Sequence, residues 1–160
     1  MHEKMISNFN EKVGRYDCTY FLGDFALTNK IEEMKELLNQ MNGKKVLIIG
    51  NHDSRPSKMM AAGFSGVFNS ATIRIAKHNV QLSHYPYMPI WYKRWNIPKH
   101  ALRYPERRPK RSDGWLMHGH IHSRSKMSAI GKTIHVGVDA WDYKPVSIRE
   151  VEGLIQRHSQ

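Results

Sequence analysis

With a single cysteine, Cys18, the chain can form no internal disulfide, which fits a reducing compartment. Cys18 precedes the apolar run Thr19-Tyr20-Phe21-Leu22 and is expected to be a buried core thiol, not a nucleophile. No apolar run approaches the roughly 20 residues that a membrane helix needs. The opening Met-His-Glu-Lys-Met lacks the charged-then-apolar layout of a secretory signal. Repeats, low-complexity tracts and interdomain linkers are also missing, so 160 residues and 18.7 kDa predict one domain spanning 1–160. A cytoplasmic location without membrane contact is expected.

Acids are scarce as well: 14 Asp and Glu face 25 Lys and Arg, giving +11. The excess is localised. From Lys93 to Arg111 there are eight cations (Lys93, Arg94, Lys99, Arg103, Arg107, Arg108, Lys110, Arg111) against one acid, Glu106, a surplus of 8 − 1 = +7. Such a segment suits a polyanionic partner, and a solvated, solubilising loop is the plain alternative. Trp91, Tyr92, Trp95 and Tyr104 interleave aromatics with these cations, a mixture suited to nucleotides or single-stranded nucleic acid.

Apolar spacing predicts a helix over 3–13 and another over 31–41, the second ending at Asn42-Gly43. Met34 and Met41 are read there as core packing. Residues 17–22 and 45–49 read as buried strands, and this strand–helix–strand rhythm predicts an α/β domain with parallel strands. Further strands are expected over 67–76, 80–83, 115–118 and 133–138, and a closing helix over 147–154. Pro86, Pro89, Pro98, Pro105 and Pro109 break any long element between them.

Metal-loving residues stand where the apolar strands end. Asp24 follows Phe21-Leu22-Gly23; Asn51, His52 and Asp53 follow Val46-Leu47-Ile48-Ile49-Gly50; His84 follows Val80-Gln81-Leu82-Ser83; His118, His120 and His122 follow Trp115-Leu116. Ligand sites of α/β sheets form beyond the carboxyl ends of strands. Carboxylate, amide oxygen and imidazole together suit Mn, Fe, Ni or Zn. Taken singly, Asp24 and Asn51 also read as turn residues and His84 as a strand-end histidine.

Gly23-Asp24, Gly50-Asn51-His52-Asp53, His84 and Gly119-His120-Ile121-His122, taken in order, resemble the signature of the calcineurin-like metallophosphoesterases. The spacings of 27, 33 and 36 residues between Asp24, Asn51, His84 and His120 fit that family's small members. The stretch from Val136 to Val146 resembles its compact bacterial and phage branch. The resemblance implies a four-layer α/β/β/α sandwich with two mixed sheets. It also implies hydrolysis of a phosphate ester by a water activated by one or two divalent transition metals. Asp24 would bridge two ions, Asn51, His84 and His120 would complete one site, and His122 would belong to the other. His52 would lie beside the phosphate and stabilise charge or protonate the leaving oxygen. The segment with Lys93, Arg94, Arg107 and Arg108 would bind substrate, preferably a phosphodiester of a nucleotide or nucleic acid, with a phosphomonoester next. His118 reads as a second-layer group or an inward strand residue, while His2, His78, His100, His135 and His158 match no motif position.

The family also opens with a strand ending in D-x-H, and no D-x-H occurs in these 160 residues. Three readings follow. The start of the chain falls late; or the protein works with one ion or with ligands borrowed from a partner chain; or it is a non-catalytic basic module that binds nucleic acid or protein. A sheet without that strand would leave backbone groups unpaired, and self-association as a homo-oligomer would follow.

Overall fold

A computed structural model of the chain describes residues 2–89, 104–128 and 131–158. Helix α1 (His2–Lys12) leads into strand β1 (Cys18–Phe21), followed by α2 (Ile31–Asn39), β2 (Lys44–Ile48), α3 (Pro56–Ala62) and β3 (Gly66–Phe68). Strands β4 (Ala71–Ile75), β5 (His78–Ser83), β6 (Trp115–His118) and β7 (Thr133–His135) come next, and α4 (Ile148–His158) closes the chain. Short 3₁₀ turns occur at Pro105–Arg107 and Val138–Ala140.

The strands form two sheets, ordered β1-β2-β3 and β4-β5-β6-β7. The α/β class read from the sequence holds. The first sheet departs from expectation, because its described strands are all parallel and not mixed. Each return passes through a helix, α2 and then α3, and a helical crossover brings the next strand back in the same direction. The second sheet is mixed: β4 and β5 form an antiparallel hairpin, and β6 and β7 continue in parallel.

Residues 67–76 were expected as one strand and form two, β3 and β4, in different sheets. Asn69-Ser70 is the whole link between them, so the chain changes sheet within two residues. The short α3 was not foreseen either; its seven residues are too few to display a periodic apolar face, although Met59 and Ala62 are buried. The closing helix runs on to His158 and begins with a capping box. Ser147 N–H and Oγ each donate to Glu150 Oε2 at 2.8 Å, and Glu150 N–H donates to Ser147 Oγ at 3.3 Å.

Three apolar clusters hold these elements. Met34 and Leu38 of α2 and Met59 and Ala62 of α3 pack on Leu47 of β2. Val151 and Ile155 of α4 pack on Val80, Trp115 and Ile134 of the second sheet. Leu22, Ile48 and Leu82 join the two sheets to each other. Lys45 Nζ closes α2 by donating to the carbonyls of Leu38 and Met41 at 2.9 and 2.6 Å, and burial lowers its pKa.

Cys18 corrects the sequence reading: it is exposed. Strand β1 lies at the sheet edge and its burial alternates, so Thr19 and Phe21 turn inward while Cys18 and Tyr20 face solvent. No helix among the described residues is long and apolar enough to cross a membrane.

Candidate metal centre

The site grows from four strand ends, two in each sheet. Asp24 lies just beyond β1 and Asn51 beyond β2, while His84 follows β5 directly and His120 lies two residues past β6. Around His84 Nε2 stand His120 Nδ1 at 3.0 Å, Asn51 Oδ1 at 3.1 Å and Asp24 Oδ2 at 3.4 Å. Ligand atoms of Asp24, His84 and His120 all lie within 4.8 Å of one another.

The tautomer of His84 is set from behind. Its Nδ1 is 2.8 Å from the carbonyl oxygen of Leu22, which can only accept. A neutral His84 that donates there keeps a lone pair on Nε2. Nε2 then faces the oxygens of Asp24 and Asn51 and Nδ1 of His120, and a cation among them would be held by all four. The donors fit a divalent transition ion, being imidazole nitrogen, carboxylate and amide oxygen without thiolate.

The backbone is bent to bring these groups together. Asp24 and His120 adopt left-handed φ values of 55° and 59°. For residues other than glycine this conformation costs about 1–3 kcal/mol and concentrates at functional sites. Gly23 precedes Asp24 at φ 88°, and a Cβ there would lie 2.2 Å from His84 Nδ1. A Cβ on Gly50 would lie 2.2 Å from Asp24 Oδ1, so both motif glycines allow close approach as well as turning.

Asp53 is the residue whose role the sequence did not reveal. Its carboxylate accepts three backbone N–H groups, from Gly50 at 2.7 Å, Asp24 at 2.8 Å and Phe25 at 2.9 Å. It ties the Gly23-Asp24 turn to the Gly50-Asn51 turn. Its place in Gly50-Asn51-His52-Asp53 was the only available signal. His52 adds a further tie, its backbone N–H donating to Asp24 Oδ1 at 2.9 Å, while the residue itself is exposed.

His122 is not brought into the group. Its side chain is 93% exposed, and its Nδ1 lies 2.9 Å from Asp139 Oδ2. Nothing in the sequence pattern singled out Asp139. His118 is an inward strand residue, buried, with Nδ1 2.9 Å from the Gly119 carbonyl. Burial, with smaller effects from neighbours, lowers its pKa to about 4 and keeps it neutral at physiological pH. His135 is also buried and packs 5.6 Å from His118.

Tyr85 and Tyr104 flank the cluster, their ring centroids 4.9 and 6.2 Å from that of His120. Arg107 stacks over Tyr104 with Cζ 5.6 Å from the ring centroid. Of the expected substrate-binding cations, Arg107 is exposed and Arg108 is half-buried. Lys93 and Arg94 lie outside the described residues, as do Trp91, Tyr92 and Trp95.

No protein-family model matches the chain. It is 30% identical to an uncharacterized protein of Methanocaldococcus jannaschii, over 98% of this chain and 76% of that protein. It is 32% identical to the Gene 66 protein of Mycobacterium phage D29, over 92% of this chain and 81% of that protein. The chain belongs to the family these two proteins share. The crystal structure of a protein of unknown function from Aquifex aeolicus has a similar fold, with a TM-score of 0.69 and 25% identity. That match covers 96% of this chain and 84% of the other.

Proposed function

We propose that the protein is a metal-dependent phosphoesterase of the calcineurin-like kind, hydrolysing a phosphodiester of a nucleotide or nucleic acid. The observation that carries this reading is the convergence of Asp24, Asn51 and His120 on Nε2 of His84 within 3.4 Å. The packing of α2 and α3 on one sheet, α4 on the other and the sheets on each other supports a four-layer α/β/β/α sandwich. The relatedness to phage proteins agrees with the compact phage branch that the sequence resembles.

In this reading Asp24, Asn51, His84 and His120 hold a divalent Mn, Fe, Ni or Zn ion. Such an ion supplies Lewis acidity, acidifying water and drawing charge from phosphate oxygens. Asp53 keeps Asp24 and Asn51 at fixed separation, so the donors need no rearrangement. His52, anchored to Asp24 through its backbone, offers an exposed imidazole that stabilises the phosphoryl charge or gives a proton to the leaving oxygen. His122, oriented by Asp139, is the residue through which a second ion would be recruited.

Elemental analysis of chelator-free protein, together with Mn²⁺-stimulated hydrolysis of an aryl phosphodiester, tests the proposal. Metal and activity are expected in the wild type, with activity lost in Asp24→Asn. A second reading, a non-catalytic module that binds nucleic acid or protein, is favoured by the separation of His122 from the cluster. It predicts metal and polyanion binding without turnover under any divalent ion.

A further inference from the structure

A polar crevice opens beside the metal centre. Asn51 belongs to both, and Arg55, Asn69, Gln81, Tyr85 and Arg107 form much of the remaining lining. A phosphate at the cluster would therefore project one substituent into this crevice. Among the described lining residues the charges cancel: Arg55 and Arg107 are matched by Asp53 and Glu106. The Asp53 carboxylate is already held by three backbone N–H groups. A track for a phosphate backbone needs a row of unmatched cations, and the described walls do not provide one.

What the walls provide is neutral hydrogen bonding next to a guanidinium. Asn69 and Gln81 each carry a donor and an acceptor side by side, a pair that matches the edge of a nucleobase in bidentate fashion. They come from opposite sides of the switch between sheets, Asn69 from the link after β3 and Gln81 from β5. Tyr85 also lines the crevice. It is buried, and Arg107 stands beside its phenolic oxygen. Burial raises its pKa, and the nearby Arg107 charge opposes the shift.

We infer that this crevice seats the nucleoside of a nucleotide ester whose phosphate lies at Asn51, Asn69 and Gln81 reading the base. The inference rests on the phosphoesterase reading for the position of the phosphate alone. The test is a titration of the full ¹⁵N-labelled chain with inorganic phosphate, ribose 5-phosphate, adenosine 5′-monophosphate and uridine 5′-monophosphate. At least one nucleotide should bind about tenfold tighter than ribose 5-phosphate, near the lower end of what one bidentate pair discriminates. The side-chain amide signals of Asn69 and Gln81 should shift with it. In Gln81→Leu, and in Asn69→Ala at an exposed position, nucleotide affinity should fall to that of ribose 5-phosphate. Equal affinity for phosphate, ribose 5-phosphate and both nucleotides in the wild type overturns the inference, as does unchanged nucleotide affinity in both variants. Hydrolysis of an aryl phosphodiester by the wild type, measured alongside, separates the two claims. Nucleotide binding without hydrolysis keeps the crevice and removes the phosphoesterase. Hydrolysis without nucleotide preference does the reverse.

Discussion

Leu22 selects the nitrogen that His84 presents to the candidate metal centre: its carbonyl oxygen lies 2.8 Å from His84 Nδ1 and leaves Nε2 facing Asp24, Asn51 and His120. The strand that carries Asp24 thus also orients a histidine from the opposite sheet. His84→Ala and His120→Ala should each come off purification depleted of Mn, Fe, Ni and Zn relative to wild type. Equal and negligible metal in all three proteins would remove the proposed centre.

His52 and His120 should separate when both are changed. His52→Ala is expected to retain metal and lose on the order of 10²–10³ in turnover of an aryl phosphodiester, the usual effect of removing a group that stabilises developing charge. His120→Ala should lose metal and turnover together. Equal metal loss in the two variants would exclude the role given to His52.

Asp53 is predicted to matter for stability as well as for the site. An amide in place of its carboxylate would keep one acceptor oxygen and turn an NH₂ toward backbone donors that Asp53 now satisfies. Asp53→Asn should lower the unfolding free energy by about 2 kcal/mol, the order expected for losing hydrogen bonds to a charged group. Urea titration reads this directly, and an unchanged midpoint would count against the tie between the two turns.

Glu150 gives a pH signature. The backbone N–H of Ser147, with lesser help from Lys12 and the Ser147 hydroxyl, lowers its pKa from 4.5 to about 2. A depressed acid contributes stability that is full above the unfolded pKa and is lost as pH falls through the folded one. The stability advantage of wild type over Glu150→Gln should therefore be constant above pH 4.5 and shrink between pH 4.5 and about 2. Denaturation of both proteins at several pH values checks the window. An advantage that grows on acidification would contradict the assignment.

Arg107 tests the basic segment from its described end. If it contacts a phosphate, Arg107→Glu should weaken single-stranded oligonucleotide binding and reduce the salt slope by about 0.7, the value for one contact on a single strand. An unchanged slope would leave this arginine a solvated surface group.

The grouping of the candidate donors was more legible in the sequence than the fold around them. Asp24, Asn51, His84 and His120 were legible because each follows an apolar strand, and strand ends converge in α/β sheets. His122, which the Gly119-His120-Ile121-His122 motif assigned to a second ion site, stands in solvent beside Asp139, past the left-handed turn at His120. Asp53 was named but given no work, since a carboxylate that binds backbone N–H groups looks no different in sequence from one that binds a cation. Cys18 was misread because apolar neighbours signal a strand and say nothing of whether that strand lies at an edge. The switch at Asn69-Ser70 was hidden for a related reason: two polar residues between apolar runs also describe a bend within one strand.

The placement of the four donors has a mechanical consequence. Asp24 and Asn51 belong to one sheet and His84 and His120 to the other, so a cation among them would act as a rivet through the seam that Leu22, Ile48 and Leu82 fill. Chelation would then do more than silence a reaction. It would loosen the seam itself, and backbone amides near these three residues would be the first core positions to exchange with deuterated solvent.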